Sequence, residues 1–156
     1  MIVHCDGASR GNPGPAGIGA QITDDDGTVL AEIARGLGIA TNNQAEYTAV
    51  LEGLKRALEL GATQVTVRSD SRLLVEQLSG RFRVKNPTLQ RLHKEVRDVA
   101  GRFERVGYVH VPRERNTEAD RLANEGVDSW LAGGGAVNPS SAPRPLPLWE
   151  EGEERP

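Results

Sequence analysis

IVHCDGASRGNPGPAGIGAQIT, at residues 2–23, is the stretch that decides how this chain folds. Residues 2–6 alternate between two faces and residues 17–23 are β-prone, while the glycines and prolines between them are typical of a turn. A second turn, DDDG at 24–27, leads to another β-prone segment at 28–34. The sequence therefore predicts a three-stranded antiparallel meander.

After the meander, the hydrophobic period changes from that of strands to that of helices. Apolar residues recur at helical spacing over 43–60 and stop at Gly61, which predicts a long amphipathic helix. The same reasoning predicts further strands at 64–69 and 105–111 and further helices at 71–78, 87–102 and 116–131. We therefore expect an α/β fold, a five-stranded mixed sheet in which the antiparallel meander is joined by parallel strands, with helices packed on it.

The composition fits one globular unit followed by a tail. A chain of 156 residues, 37% of them hydrophobic, can bury one core. From Gly133 onward the chain is rich in glycine and proline and ends in acidic residues, which predicts a domain at 1–132 and a disordered tail at 133–156. The single cysteine, Cys5, excludes an intramolecular disulfide, and we find no leader or long apolar run. We expect a cytoplasmic protein without membrane contact.

The charge distribution is ambiguous about a nucleic-acid partner. The net charge of −3 argues mildly against one, because phosphate binders usually carry an excess of basic residues. Residues 80–94 nevertheless contain no acid and five basic residues, which are Arg81, Arg83, Lys85, Arg91 and Lys94. A phosphate-binding edge and a solvated helix face with a charged loop both explain this run, and composition alone favours the second.

Four carboxylates stand at predicted strand ends and helix starts: Asp6, Glu46, Asp70 and Asp120. Each one alone has an ordinary structural explanation. Asp6 fits a turn before a glycine, and Glu46 fits a capping box with Asn43. Asp70 fits a helix N-cap, and Asp120 fits a first helical turn, where an acid complements the helix dipole.

The four acids taken together suggest a different role. Glu46 and Asp120 lie on stripes of small or apolar residues, so both face the predicted core. Strand ends and helix starts meet at one edge of an α/β sheet, so we expect the four side chains to lie close together. Such carboxylates repel one another unless cations neutralise them, and ligand sets made only of oxygen favour Mg²⁺, with Mn²⁺ as a substitute.

Four segments of the chain resemble the ribonuclease H type 1 family. They are DGASRGNPGPAGIG at 6–19, TNNQAEYTAVLEGL at 41–54, SDS at 69–71 and ERNTEADRLAN at 114–124. Their order and their places on the predicted elements match the family over about residues 1–131. The resemblance implies endonucleolytic cleavage of the RNA strand of RNA–DNA hybrids, which leaves 5′-phosphate and 3′-hydroxyl ends. It also implies that Asp6, Glu46, Asp70 and Asp120 hold two Mg²⁺ ions, with Mn²⁺ as a substitute.

The resemblance also implies substrate contacts around the glycine-rich loop and the first helix. The residues that match the family's strand-reading positions are Gly7, Ala8, Ser9, Asn12, Asn42, Asn43 and Gln44, and Thr41 matches a contact to a DNA phosphate. RNA differs from DNA by its 2′-hydroxyl, so these contacts would select the strand. Turn and cap chemistry explains the asparagines equally well without a ligand.

The chain departs from many bacterial members in two places. Their basic, tryptophan-bearing protrusion is replaced by residues 79–86, so the chain resembles a compact subgroup. Arg81, Arg83 and Lys85, with Phe82 as a stacking residue, are our candidate substitutes for the protrusion.

The second departure is the loop before the last aspartate, where many members carry a histidine. This chain has VPRER at 111–115, and Arg113 or Arg115 is our candidate for meeting the departing phosphate. His110 belongs to the preceding predicted strand, where we expect it to pack locally.

Two other functional classes stay open at this stage. One is a non-catalytic nucleic-acid-binding domain with the same fold, against which the complete carboxylate set argues. The other is a related polynucleotidyl transferase, such as an integrase or transposase core, which generally lacks a helix start like TNNQAE. As partners we expect RNA–DNA hybrid and, for a compact member, double-stranded RNA, because its helical shape is similar. We expect the protein to be a monomer.

Overall fold

The computed structural model describes residues 1–133. The strands are β1 (Ile2–Ser9), β2 (Gly14–Thr23), β3 (Val29–Ala40), β4 (Gln64–Ser69) and β5 (Arg105–His110). The helices are α1 (Asn42–Glu59), α2 (Arg72–Leu78), α3 (Pro87–Ala100) and α4 (Thr117–Ala132), and a 3₁₀ turn (Arg113–Arg115) precedes α4. Every predicted element is present. The tail predicted at 133–156 lies outside the described residues apart from Gly133, so it stays a prediction.

The five strands form one mixed sheet in the order β3-β2-β1-β4-β5. β2 is antiparallel to β1 and β3, whereas β4 is parallel to β1 and β5, which confirms the predicted fold class. β1 pairs with β4 only from Ile2 to His4, although it continues along β2 as far as Ser9. β1 and β4 therefore separate after His4, and Asp6 lies beyond the last residue pair that joins them.

Helices cover both faces of the sheet. A β-carbon on Gly53 of α1 would lie 2.7 Å from Val3 Cγ1 and 3.6 Å from Ala20 Cβ, so α1 packs on the face of these residues. Gly19, which precedes Ala20 in β2, faces α4: a β-carbon added there would lie 2.3 Å from the Ala119 carbonyl oxygen. Because successive strand residues point to opposite faces, α1 and α4 lie on opposite sides of the sheet.

The main hydrophobic core lies between the sheet and α1, with α3 packed on α1. Its fully buried side chains include Val3, Ile18, Ile22, Val50, Leu54 and Leu92. Among residues 1–133, no helix combines the length and the apolarity that crossing a bilayer requires.

Candidate active site

Glycine at position 7 brings the start of α1 onto strand β1. A β-carbon there would lie 2.3 Å from the carbonyl carbon of Ala45, a distance that real side chains do not adopt. The neighbouring Asp6 carboxylate accepts a 2.9 Å hydrogen bond from the Gly7 amide, and both residues lie inside β1. The explanation of Asp6 as a turn residue is therefore wrong, and the glycine serves the approach of the helix that carries Glu46.

Glycines also bring α4 onto the opposite face of the sheet. β-Carbons on Gly17 and Gly19 would lie 2.6 Å from the Ala123 carbonyl oxygen and 2.3 Å from the Ala123 amide nitrogen, respectively. Gly19 is the direct partner of Asp6 in the β1–β2 ladder, so the two residues share a face. The first turn of α4 therefore carries Asp120 towards Asp6.

Glu46 has no role in capping α1. The N-cap is Thr41, whose Oγ1 accepts a 3.1 Å hydrogen bond from the Gln44 amide. In return, Gln44 Oε1 accepts a 2.8 Å bond from the Thr41 amide, which completes the capping box. The expected capping box of Asn43 and Glu46 is wrong, because the helix begins two residues earlier than that pairing requires.

Asp70 likewise has no role in capping α2. It follows β4 directly, but the N-cap is the next residue, Ser71, whose Oγ accepts a 3.2 Å hydrogen bond from the Leu74 amide. The explanation of Asp70 as an N-cap is therefore wrong. Asp120 does lie in the first turn of α4, where the helix dipole favours an acid, so its ordinary explanation stands beside the functional one.

The four predicted carboxylates interact with one another, and Asp6 lies at the centre of the cluster. Burial raises the pKa of Asp6 well above its usual range, and the charges of Asp70, Asp120 and Glu46 together with a hydrogen bond to Asp120 raise it further. Burial also raises the pKa of Glu46 to about 7, with a smaller contribution from Asp70 and an opposing hydrogen bond from Ser71. The structure thus brings together acids from β1, α1, α4 and the end of β4.

This donor set fits a hard divalent cation, although it is not a closed cage. Within residues 1–133, no three histidine, cysteine, aspartate or glutamate side chains form a ready-made group of metal ligands. The charge interactions nevertheless link Asp6 to each of the other three acids, and all the donor atoms are carboxylate oxygens. Carboxylate oxygens are the ligands that Mg²⁺ and Mn²⁺ prefer, so the chemistry of the donor set, and not a closed geometry, is what fits a divalent cation.

Two asparagines beside this cluster were missed by the sequence analysis. Asn116 is 2% exposed, and its Nδ2 donates a 3.0 Å hydrogen bond to the Cys5 carbonyl oxygen. Asn124 Nδ2 donates a 3.0 Å bond to the Asp120 carbonyl oxygen and approaches the Asp120 carboxylate at 3.5 Å. Both asparagines lie four residues from Asp120, and residues four apart are neighbours along a helix, so this spacing is the signal that could have identified them.

The predicted strand-reading residues lie beside the acids, and several of them also support the local backbone. Asn12 Oδ1 accepts a 3.0 Å hydrogen bond from the Asn42 amide, which joins the β1–β2 loop to the start of α1. Ser9 Oγ donates a 2.8 Å bond to the Ala40 carbonyl oxygen. Asn42 and Asn43 are exposed, whereas Thr41 and Gln44 form the capping box. Gly7 lies against α1, and Ala8 is half-buried between Gly7 and Ser9.

The loop between α2 and α3 is short, as predicted, and its backbone is anchored. Gln77 Nε2 donates a 3.2 Å hydrogen bond to the Arg83 carbonyl oxygen, and the Arg81 guanidinium pairs with Glu76. Phe82 is 52% exposed, and the side chains of Arg83 and Lys85 are exposed beside it.

The turn before α4 carries the other predicted arginines. Arg113 and Arg115 are both exposed in the 3₁₀ turn that links β5 to α4. His110 lies in β5, as expected, and is its last residue, whereas the strand was predicted to extend to 111.

Comparison with known proteins places this geometry in a family. Residues 4–126 match the family described as "Reverse transcriptase-like". The chain is 52% identical over 130 residues to the bifunctional protein Rv2228c of Mycobacterium tuberculosis, a match that covers 83% of this chain but 36% of that protein. The chain thus spans about a third of the length of this relative.

Two solved structures resemble the chain over nearly their whole length. The crystal structure of RNase H1 from the halophilic archaeon Halobacterium salinarum is 42% identical, with a TM-score of 0.79 over 81% of this chain and 96% of that one. LC11-RNase H1, solved in complex with an RNA/DNA hybrid, is 41% identical, with a TM-score of 0.80 over 83% of this chain and 98% of that one. By sequence and fold, the chain belongs to the ribonuclease H type 1 family.

Proposed function

We propose that this chain is an endoribonuclease that hydrolyses the RNA strand of RNA–DNA hybrids, with Asp6, Glu46, Asp70 and Asp120 as its catalytic acids. One observation carries the proposal: the four acids meet where β1 and β4 separate, and neither Glu46 nor Asp70 caps a helix. The hybrid bound by LC11-RNase H1 supports the choice of substrate.

We propose two Mg²⁺ ions as the cofactor, with Mn²⁺ as a substitute, held by the same four acids. Bound divalent ions would make water a stronger nucleophile and stabilise the leaving oxygen. The protein orients the acids: Ser71 hydrogen-bonds to Glu46, and Asn124 approaches Asp120. Cys5 is unsuited to nucleophilic attack, because burial and the nearby acids raise the pKa of its thiol. Water is therefore the nucleophile that we propose.

The surface beside the acids supplies the proposed strand contacts. We propose that Ser9, Asn12 and the exposed Asn42 and Asn43, with the backbone of Gly7 and Ala8 and the side chain of Gln44, read the 2′-hydroxyls of the RNA strand. Thr41 would contact a phosphate of the DNA strand.

Two sets of exposed basic residues would add fixed charge. Arg113 and Arg115 stand in the turn before α4, close in sequence to Asp120, and we propose that one of them meets the departing phosphate. Arg83 and Lys85, beside Phe82 in the loop between α2 and α3, would make a second contact with the substrate.

The decisive experiment is a cleavage assay on three labelled substrates: RNA–DNA hybrid, duplex DNA and duplex RNA, each with Mg²⁺, Mn²⁺ or a chelator. We expect the RNA strand of the hybrid to be cut with either metal, to yield 5′-phosphate ends and to stay intact with chelator. Intact hybrid under every metal condition would refute the proposed ribonuclease activity. Hybrid that is bound but never cut would identify a non-catalytic binding domain.

The duplex RNA arm tests a second substrate. The loop at 79–86 is short, and duplex RNA has a helical shape close to that of the hybrid, so we propose weaker discrimination against a second RNA strand. Cleavage of duplex RNA with Mn²⁺ would support this, and complete resistance would restrict the enzyme to hybrids.

A further inference from the structure

Asn116 connects the strand that carries Asp6 to the helix that carries Asp120. It is the residue before α4, and its side-chain amide is almost completely buried. Nδ2 donates a 3.0 Å hydrogen bond to the carbonyl oxygen of Cys5, whose peptide bond joins it to Asp6. The backbone carbonyl of Asn116 accepts a 3.1 Å bond from the amide of Asp120. One residue thus holds the backbone on both sides of this acid pair.

The side chain of Asn116 does not perform the task usual for its position. An asparagine before a helix normally accepts hydrogen bonds from the first backbone amides. Thr41, Ser71 and Asn86 do this for α1, α2 and α3, whereas Asn116 makes no side-chain cap bond to α4. Its amide group is directed across to β1 instead.

A second feature sets the Asn116 side chain apart. Its Oδ1 is buried and has no hydrogen-bond partner among residues 1–133. Buried amide oxygens are nearly always paired, so the bond from Nδ2 to β1, and not a partner for Oδ1, fixes the orientation of this amide.

We propose that Asn116 is a positioning residue that sets the separation of Asp6 and Asp120 and so the affinity of the acid cluster for divalent cations. The proposal rests on the proposed function, because it assumes that these acids hold the cation. Partners outside the first coordination sphere orient the ligands, and their loss typically lowers metal affinity or activity by about 10- to 100-fold. A purely structural role would instead lower stability and leave metal affinity unchanged.

The test compares Asn116→Ala with Asn86→Ala as a matched control. Asn86 Oδ1 accepts bonds of 2.9 and 3.1 Å from the Thr88 and Leu89 amides at the start of α3, so the control also removes an asparagine from a helix start. For wild type and both variants we would measure the Kd for Mn²⁺ by calorimetry, the Tm without metal, and kcat and KM on hybrid.

Asn116→Ala should raise the Kd for Mn²⁺ by about 10- to 100-fold and lower kcat at fixed metal, with partial recovery in excess Mn²⁺. KM for hybrid should stay unchanged, because Asn116 is buried away from solvent. Asn86→Ala should lower the Tm while the Kd for Mn²⁺ stays at the wild-type value. If Asn116→Ala does not fold, Asn116→Ser carries the same test, because its side chain is too short to reach the Cys5 carbonyl.

If an Asn116 variant is less stable but has the wild-type Kd for Mn²⁺ and the wild-type kcat, the inference about Asn116 is overturned. A wild-type protein that binds Mn²⁺ and cuts hybrid would then leave the proposed function intact. A wild-type protein that neither binds Mn²⁺ nor cuts hybrid would overturn the proposed function and this inference with it.

Discussion

Gly7 lies against Glu46: a β-carbon on Gly7 would stand 2.4 Å from the Glu46 backbone nitrogen. Strand β1 and helix α1 therefore touch at Gly7, next to Asp6, and at Glu46. No side chain can be inserted there without moving the helix, so the acid cluster depends on this contact.

Gly7→Ala should therefore harm both the fold and the site. Forcing a methyl group into a tight contact costs about 1–3 kcal/mol, so we expect the free energy of unfolding in urea to fall by that amount. Hybrid cleavage should fall as well, since the displaced helix takes Glu46 with it. Gly107→Ala is the matched control, because a β-carbon at Gly107 meets nothing within 4 Å. If the two variants unfold at the same urea concentration, the contact is looser than we infer.

Asp70→Asn should separate activity from stability. Ser71 caps α2, so Asp70 has no capping bond to lose, and removing one negative charge from the cluster relieves repulsion. We expect cleavage to fall by more than about a hundredfold, while the metal-free Tm stays equal or rises. Asp98→Asn, which removes an exposed acid paired with Lys94, should cleave like wild type. Retained cleavage in Asp70→Asn would remove Asp70 from the site.

Much of the fold could be predicted, because strands and helices differ in hydrophobic period. The errors lie at element ends where glycine breaks the pattern. β3 was predicted at 28–34, whereas the strand extends to Ala40. The prediction ended too early because Gly36 and Gly38 look like turn residues in the sequence. Gly36 is in fact the point where α4 approaches the sheet, since an added β-carbon would lie 2.5 Å from Trp130 Cβ. Such contacts between distant segments leave no local signal.

The proximity of the four carboxylates could be predicted from the sequence, but the residues that support them could not. Asp6, Glu46, Asp70 and Asp120 stand in recognisable motifs, and the structure brings them together. The hydrogen bond from Asn116 to Cys5 spans 111 positions, so the local sequence of neither segment predicts it. The ordinary explanations for Glu46 and Asp70 failed for a related reason: helix starts shift by one or two residues when a neighbouring threonine or serine caps them.

The metal-free protein should become less stable as pH rises. The pKa of Glu46 is raised from 4.5 to about 7, and that of Asp6 is raised as well. Between the unfolded and folded pKa values, the folded chain therefore binds more protons than the unfolded chain, so stability falls with rising pH. We expect the Tm to fall between about pH 4.5 and 7 and beyond, and Asp6→Asn to reduce this fall.

The comparison of wild type with Asp6→Asn isolates this effect from other titrating groups. His4 acts in the opposite direction, because burial and the charge of Arg68 lower its pKa, but it is present in both proteins. Mg²⁺ should raise the Tm more at pH 8 than at pH 5, since cations compete with protons for the acids. Equal pH profiles for the two metal-free proteins would show that Asp6 carries little of the repulsion.

The loop at 79–86 should grip the substrate through Arg83 and Lys85. Arg81 is paired with Glu76, whereas Arg83 and Lys85 are exposed beside Phe82. In an Asp70→Asn background, where hybrid is bound but not cut, Arg83→Ala/Lys85→Ala should weaken hybrid binding. The slope of log affinity against log salt should decrease by about one for each phosphate that the variant no longer neutralises.

A matched double variant distinguishes a specific contact from a general change of charge. Lys55→Ala/Arg56→Ala also removes two positive charges, but these side chains pair with Glu52 and Glu59 along α1. Binding and its salt dependence should then match those of the Asp70→Asn parent. If both doubles weaken hybrid binding equally, the loop contributes only net charge; if neither does, the compact enzyme holds its substrate through the strand-reading residues around Asn12 and Asn42 alone.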